Sequence, residues 1–127
     1  MQVISVVDDD PSIRSSTIDL LDSAGLSCQA FESAEAYLAS GWVERTSCLI
    51  LDVSMPGMTG IELHHRLVQS GHSIPVIFIT AFPKKRARVE AVGLGAICCL
   101  LKPYAERELL CCIRSALAVR QENSGSN

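Results

Sequence analysis

No stretch of this chain approaches the roughly 18 consecutive apolar residues that a membrane-spanning helix requires. Met1-Gln2-Val3 passes straight into a β-rich run, with neither a basic segment nor an apolar leader core. The sequence therefore predicts no signal peptide, no membrane partner and a cytoplasmic location. A basic surplus is also missing: 11 Lys and Arg stand against 14 Asp and Glu, for a net charge of −3. Binding a phosphate backbone needs a basic surface, so nucleic acid is not expected as a direct partner of this domain. There is no internal repeat and no sign of a second domain. The 127 residues suit one domain with one sizeable core. A hydrophobic share of 48% with 20% charged residues excludes a disordered chain.

Cysteine is the exception to this sparseness. The chain has six cysteines, but none in C-x-x-C spacing. Cys28, Cys48, the pair Cys98-Cys99 and the pair Cys111-Cys112 fall in strands and helices rather than loops. Sequence neighbours bridge poorly, so these residues read as reduced, small core side chains, and a zinc site joining the two pairs is disfavoured. His64-His65 and His72 are poor joint metal ligands, because adjacent helix residues do not face each other.

Five β-rich runs alternate with five helical ones. Val3 to Val7 ends in Asp8-Asp9-Asp10, and Asp10 before Pro11 caps a helix carrying Ile13, Thr17, Leu20, Leu21 and Ala24 at helical spacing, with Gly25 after it. Leu26 to Phe31 is a weaker strand. Ser33 caps a short helix through Leu38. Cys48 to Leu51 is a fully apolar strand that runs into Asp52. Thr59-x-x-Glu62 is a capping box that opens a helix to about Ser70. Pro75 to Thr80 is apolar and ends on a hydroxyl. Lys84 to Leu94 is helical, with Gly93 and Gly95 as stops. Ala96 to Leu101 leads to Lys102-Pro103, and a last helix runs from about Ala105 to Arg120. The tail 121–127 is polar and reads as disordered or as the start of a linker. Apolar strands without alternation are buried on both faces. Right-handed crossovers then make an α/β, doubly wound, five-stranded parallel sheet.

In such a sheet, strand ends of one polarity share one rim, where ligands bind. Asp8, Asp9, Asp52, Thr80 and Lys102 all stand at that rim. Clustered carboxylates call for a hard divalent cation such as Mg²⁺. With a lysine and a hydroxyl beside them they form a phosphoryl-binding site, in which Asp52 is the nucleophile.

The stretches VVDDDPSIR, LILDVSMPGMTGIEL, VIFITA and LLKPY, in that order, resemble the receiver domain of two-component response regulators. The run DVSMPGMTG is most similar to receivers that precede a LuxR-type helix-turn-helix output domain. The resemblance implies a flavodoxin-like (βα)5 fold with strand order 2-1-3-4-5. It implies that Asp52 accepts a phosphoryl group from a histidine kinase. It also implies that Asp9, Asp52 and the Ser54 carbonyl bind Mg²⁺, with Asp8 acting through water, and that Thr80 and Lys102 meet the phosphoryl oxygens. Lys102-Pro103 is often cis in this family. The domain would then be a switch for an output domain or partner, transcription included, assisting only its own phosphorylation and dephosphorylation, with dimerisation on phosphorylation as a further expectation.

Receivers usually carry Tyr or Phe where this chain has Cys99, so phosphorylation is expected with an altered readout. A redox role for Cys99 has no support in the sequence. Lys84, Lys85, Arg86 and Arg88 crowd a helix start against its dipole; they read either as a solvated, mobile turn or as a face for an acidic partner or a second copy. Ile18, off the apolar stripe of the first helix, reads either as an isolated surface residue or as a kinase contact. Two other classes compete. A phosphohydrolase or phosphotransferase passing through an aspartyl phosphate would want a carboxylate two residues after the nucleophile, where Ser54 stands. A flavin carrier would need a Ser/Thr/Gly-rich phosphate loop in place of Asp8-Asp9-Asp10.

Overall fold

A computed structural model describes residues 2–92 and 97–125, with side chains over 2–89 and 97–119. The strands are β1 (Val3–Val7), β2 (Ser27–Phe31), β3 (Cys48–Asp52), β4 (Val76–Thr80) and β5 (Cys98–Leu101). The helices are α1 (Pro11–Ser23), α2 (Ala34–Ala39), α3 (Gly60–Gln69), α4 (Pro83–Val92) and α5 (Glu106–Gly125). A 3₁₀ turn at Val43–Arg45, which the sequence did not signal, precedes β3. All pairings are parallel, in the order β2-β1-β3-β4-β5. This is the doubly wound sheet the sequence predicts.

The apolar strands divide their side chains by parity between two helical layers, because successive residues of a strand face opposite ways. Val7, Leu49, Leu51, Phe78 and Cys99 pack with Tyr37, Leu63, Leu67 and Val89 under α2, α3 and α4. Ile4, Val6, Cys48, Ile50, Ile77, Ile79 and Leu100 pack with Leu21, Leu109, Ile113 and Ala116 under α1 and α5. β2 and β5 are the two edge strands, and β2 leaves Ser27 and Gln29 exposed, which explains its weak signal.

The predicted caps form. Asp10 Oδ1 accepts from the N–H of Ser12 at 2.8 Å, Ser33 Oγ from that of Ala36 at 3.0 Å, and Thr59 with Glu62 makes both halves of the capping box. A buried hydroxyl network ties β1 to the chain before β3. Tyr37 donates to Thr46 Oγ1 at 2.8 Å, and Thr46 donates its one hydroxyl proton to the Trp42 carbonyl at 2.8 Å. Ser5, 2.7 Å away, must therefore donate to Thr46.

Two expectations need correction. α5 continues to Gly125, five residues beyond the expected end at Arg120, because no helix breaker intervenes in Gln121-Glu122-Asn123-Ser124. The cysteines are not uniformly reduced core residues. Cys98 on β5 and Cys112 on α5 form a disulfide across 14 residues, and Cys111 is exposed. Packing α5 onto β5 brings the first two together with Cα atoms 6.3 Å apart, a distance no sequence spacing encodes. The predicted stops Gly93 and Gly95, and the predicted strand start Ala96, lie outside the described residues.

Candidate functional site

The carboxyl ends of β1, β3, β4 and β5 deliver Asp8, Asp52, Thr80 and Lys102 to one rim. Asp52 is the last residue of β3, and β3 is held there because the N–H of Val53 donates to the Ile79 carbonyl at 2.9 Å. Thr80 ends β4, and its carbonyl accepts from the N–H of Lys102 at 2.7 Å. That bond sets where the lysine leaves β5. The Lys102-Pro103 peptide is cis, as the resemblance implies.

Lys102 Nζ lies 3.2 Å from Asp8 Oδ2 and 3.2 Å from Asp52 Oδ2, bridging residues 94 and 50 positions away. Asp52 Oδ1 accepts from the N–H of Ser54 at 2.9 Å, which orients the carboxylate. Asp8 Oδ1 accepts from the N–H of Asp10 at 2.9 Å, and Arg14 donates to the Asp8 carbonyl at 2.7 Å. Asp8, Asp52 and Thr80 are buried, while Asp9 is exposed beside them. The Thr80 hydroxyl oxygen accepts from the N–H of Phe82 at 3.1 Å, which leaves its proton free to donate into the site.

The charges do not balance. Carboxylate oxygens of Asp8, Asp9 and Asp52 lie within 4.8 Å of one another, with one ammonium among them. Burial pushes the Asp52 carboxyl above the usual carboxylate range; the Ser54 N–H pulls it back, Asp8 pushes it up again and Lys102 lowers it. Burial alone would lower Lys102, but Asp52 and Asp8 more than reverse this and hold its ammonium above the ordinary value. The rise at Lys102, and the smaller push of Asp8 on Asp52, both come from the surplus of negative charge. Octahedral Mg²⁺ holds oxygens at about 2.0–2.1 Å, so adjacent ligands stand about 2.9 Å apart and opposite ones about 4.1 Å. An all-oxygen cluster of this spacing fits a hard divalent cation, and this acidic pocket can hold a metal.

The other singled-out residues are placed as follows. Cys99 is buried in the layer under α3 and α4, facing the helix that follows Thr80. Ile18 is half-buried on α1 and is not among the residues that line the groove formed by Ile13, Leu20, Lys102, Pro103 and Tyr104. Lys84, Arg86 and Arg88 are exposed on α4. Lys85 turns toward the site: its Nζ donates to Ser54 Oγ at 2.5 Å and lies 4.8 Å from the centre of the Phe82 ring. His64 is buried edge-on against Phe78, with ring centres 5.6 Å apart.

Sequence reading missed three contributors. Lys85 is indistinguishable in sequence from its basic neighbours on α4, yet it alone of them reaches Ser54 among the described contacts. Gly60 opens α3 so close to β3 that a Cβ there would stand 2.2 Å from the Asp52 carbonyl oxygen. Glu35, in the first turn of α2, accepts from the N–H of Met58 in the loop after Asp52 at 3.2 Å. A glycine beside a capping threonine was the one available signal, and it is weak.

Known proteins are similar to this chain in sequence and in fold. The family model for the response regulator receiver domain matches residues 4–114. "Response regulator protein TmoT" of Ectopseudomonas mendocina is 40% identical over 115 residues, 91% of this chain and 52% of that protein. "Transcriptional regulatory protein FixJ" of Bradyrhizobium diazoefficiens is 38% identical over 114 residues, 90% of this chain and 56% of that protein. The chain thus spans about half the length of these relatives. Among solved structures, the response regulator StyR superposes with a TM-score of 0.90 at 39% identity, covering 98% of this chain and 63% of that one. FixJ-N superposes with a TM-score of 0.82 at 30% identity, covering 93% and 94%. The chain belongs to the response regulator receiver domain family of two-component signalling.

Proposed function

We propose that Asp52 is the phosphoacceptor of a Mg²⁺-dependent switch. The observation that carries this reading is the rim cluster, in which Lys102 Nζ stands 3.2 Å from both Asp8 and Asp52. A carboxylate oxygen of Asp52 attacks the phosphorus of a phosphohistidine on a histidine kinase. The new P–O bond forms as the P–N bond breaks, and the imidazole keeps the electron pair and takes up a proton. The product is an aspartyl phosphate.

Asp9, Asp52 and the Ser54 carbonyl are the proposed Mg²⁺ ligands, with Asp8 acting through water. Bound there, the cation supplies charge neutralisation for the phosphoryl oxygens. Lys102 orients Asp52 before transfer and pairs with a phosphoryl oxygen afterwards. The free Thr80 proton donates to another. Because the Thr80 carbonyl also holds the Lys102 backbone, a movement at either residue is transmitted to the other, toward Cys99 and α4. That coupling is the basis of a switch between two populations that partners read differently.

Turnover as a phosphohydrolase is disfavoured, because Ser54 occupies the position of an acid/base carboxylate and its hydroxyl engages Lys85. The chain is therefore read as a phosphoacceptor rather than an enzyme acting on other substrates. The receiver is proposed to span residues 1–120 and to act in the cytoplasm. The relatives are about twice as long as the matched stretch, and FixJ is named a transcriptional regulatory protein, which supports a DNA-binding output attached to or partnered with this domain.

The test is intact mass after incubation with acetyl phosphate and Mg²⁺. One phosphoryl should be gained, and the gain should be lost in Asp52→Asn and without Mg²⁺. Equal gain by Asp52→Asn would place the modification elsewhere and overturn the assignment.

A further inference from the structure

We propose that Glu35 is a positioning residue for the cation site, acting through the loop that follows the phosphoacceptor. The proposal rests on the reading of Asp52 given above.

The loop from Val53 to Thr59 is tied firmly at both ends. At its start the N–H of Val53 donates to Ile79 at 2.9 Å and that of Ser54 to Asp52 Oδ1 at 2.9 Å. At its end the N–H of Gly60 donates to the Val53 carbonyl at 3.1 Å, and the capping box holds Thr59. Between these ties, one side-chain hydrogen bond from another element reaches residues 55–58 among the described residues: Glu35 Oε2 accepting from the N–H of Met58 at 3.2 Å. The Ser54 carbonyl, a proposed ligand, opens this middle stretch. A carboxylate accepting a backbone N–H makes a charge-assisted bond, stronger than a neutral one.

Two features show that the loop is shaped around this carboxylate. Gly57 takes φ +76°, and a Cβ there would come 2.7 Å from Glu35 Oε2. The glycine both turns the chain and leaves the oxygen its space. Glu35 itself stands in the first turn of α2, where a negative charge is favoured by the helix dipole. Its orientation is thus supported from both sides, although it touches no rim residue. Removing outer groups that orient ligands typically weakens metal binding by about 10–100-fold. Glu35 acts at one further remove, so about fivefold is expected.

The experiment measures Mg²⁺ binding by calorimetry and the rate of phosphorylation by acetyl phosphate across Mg²⁺ concentrations. It uses the native chain, Glu35→Ala, Glu35→Asp and Glu35→Gln. Glu35→Ala and Glu35→Asp, the second one methylene short, should bind Mg²⁺ about fivefold more weakly. Both should lag the native rate at low Mg²⁺ and recover it at saturation. Glu35→Gln keeps an acceptor oxygen and should restore most of the affinity. Native affinity in both Glu35→Ala and Glu35→Asp would overturn the proposal, as would equal weakness of Glu35→Gln and Glu35→Ala. If the native chain binds no Mg²⁺ and gains no phosphoryl, the underlying reading of the site fails instead. Should Glu35→Ala fold poorly by urea titration, the comparison of Glu35→Asp with Glu35→Gln decides alone.

Discussion

Replacing Gly60 with alanine tests how tightly the site depends on the approach of α3 to β3. The substitution adds one methyl group at a position with ordinary helical geometry, so backbone conformation is not at issue. Space is. The new Cβ would lie 2.2 Å from the Asp52 carbonyl oxygen, 3.0 Å from its carbonyl carbon and 3.1 Å from the Val53 Cα. All three neighbours are backbone atoms, so no flexible side chain can swing aside. Ordinary contact begins near 3.4 Å, so α3 and the end of β3 must part by about 1 Å. Overpacking of this kind costs about 1–3 kcal/mol. Stretching the Gly60 N–H bond to Val53 adds to that cost, so about 3 kcal/mol is expected. Unfolding entropy of about 2.1 cal/mol/K per residue converts this to a fall in Tm of about 11 °C. Moving the reacting carboxylate by about 1 Å should slow phosphorylation by about 100-fold. Urea titration and the acetyl phosphate mass assay read the two effects. Gly25→Ala is the control: it sits at φ +76° with nothing within 4 Å, far from the rim. It should cost about 1 kcal/mol of backbone strain and leave the phosphorylation rate alone. A Gly60→Ala protein with a native urea midpoint and native phosphorylation rate would refute the steric argument.

Two further perturbations probe the core. Tyr37→Phe removes one donor to Thr46, which keeps Ser5, and should cost about 1 kcal/mol. Thr46→Val removes the acceptor that Ser5 and Tyr37 share, leaves them only each other, and should cost about 2 kcal/mol; a urea titration ranking the two variants the other way would remove Thr46 from the centre of the network. Burial pushes the Cys48 thiol up to about 12 from an ordinary value of 9.0. The folded state thus keeps a proton the unfolded chain releases. The associated stability is complete below pH 9 and is lost as pH rises toward about 12, by up to about 1.4 kcal/mol per pH unit. Urea midpoints across that range should fall more steeply for the native chain than for Cys48→Ala; parallel slopes would contradict the assignment.

The sequence alone determined the elements, their caps and the identity of the rim residues. Asp10, Ser33 and the Thr59-x-x-Glu62 box are local signals, because a helix end is completed by groups within three residues of it. Apolar runs without alternation in β3 and β4 required helices on both faces, and with strands and helices alternating along the chain this implied a parallel sheet with Asp8, Asp52, Thr80 and Lys102 at one edge. The edge strand β2 was weaker in pattern for the same physical reason: half of it faces water.

Only the tertiary structure decided which of those groups touch. Lys102 reaches Asp8 across 94 residues and Asp52 across 50, distances set by strand spacing and the bond between Thr80 and Lys102. The Cys98–Cys112 disulfide depends on how α5 lies on β5. Lys85 reaching Ser54, Glu35 reaching Met58 and the narrow gap at Gly60 depend on helices seated to within an ångström on the sheet. Periodicity and capping act over a few residues and set what each segment becomes. Contacts between layers follow from the shape of the whole packed core, which no local pattern carries.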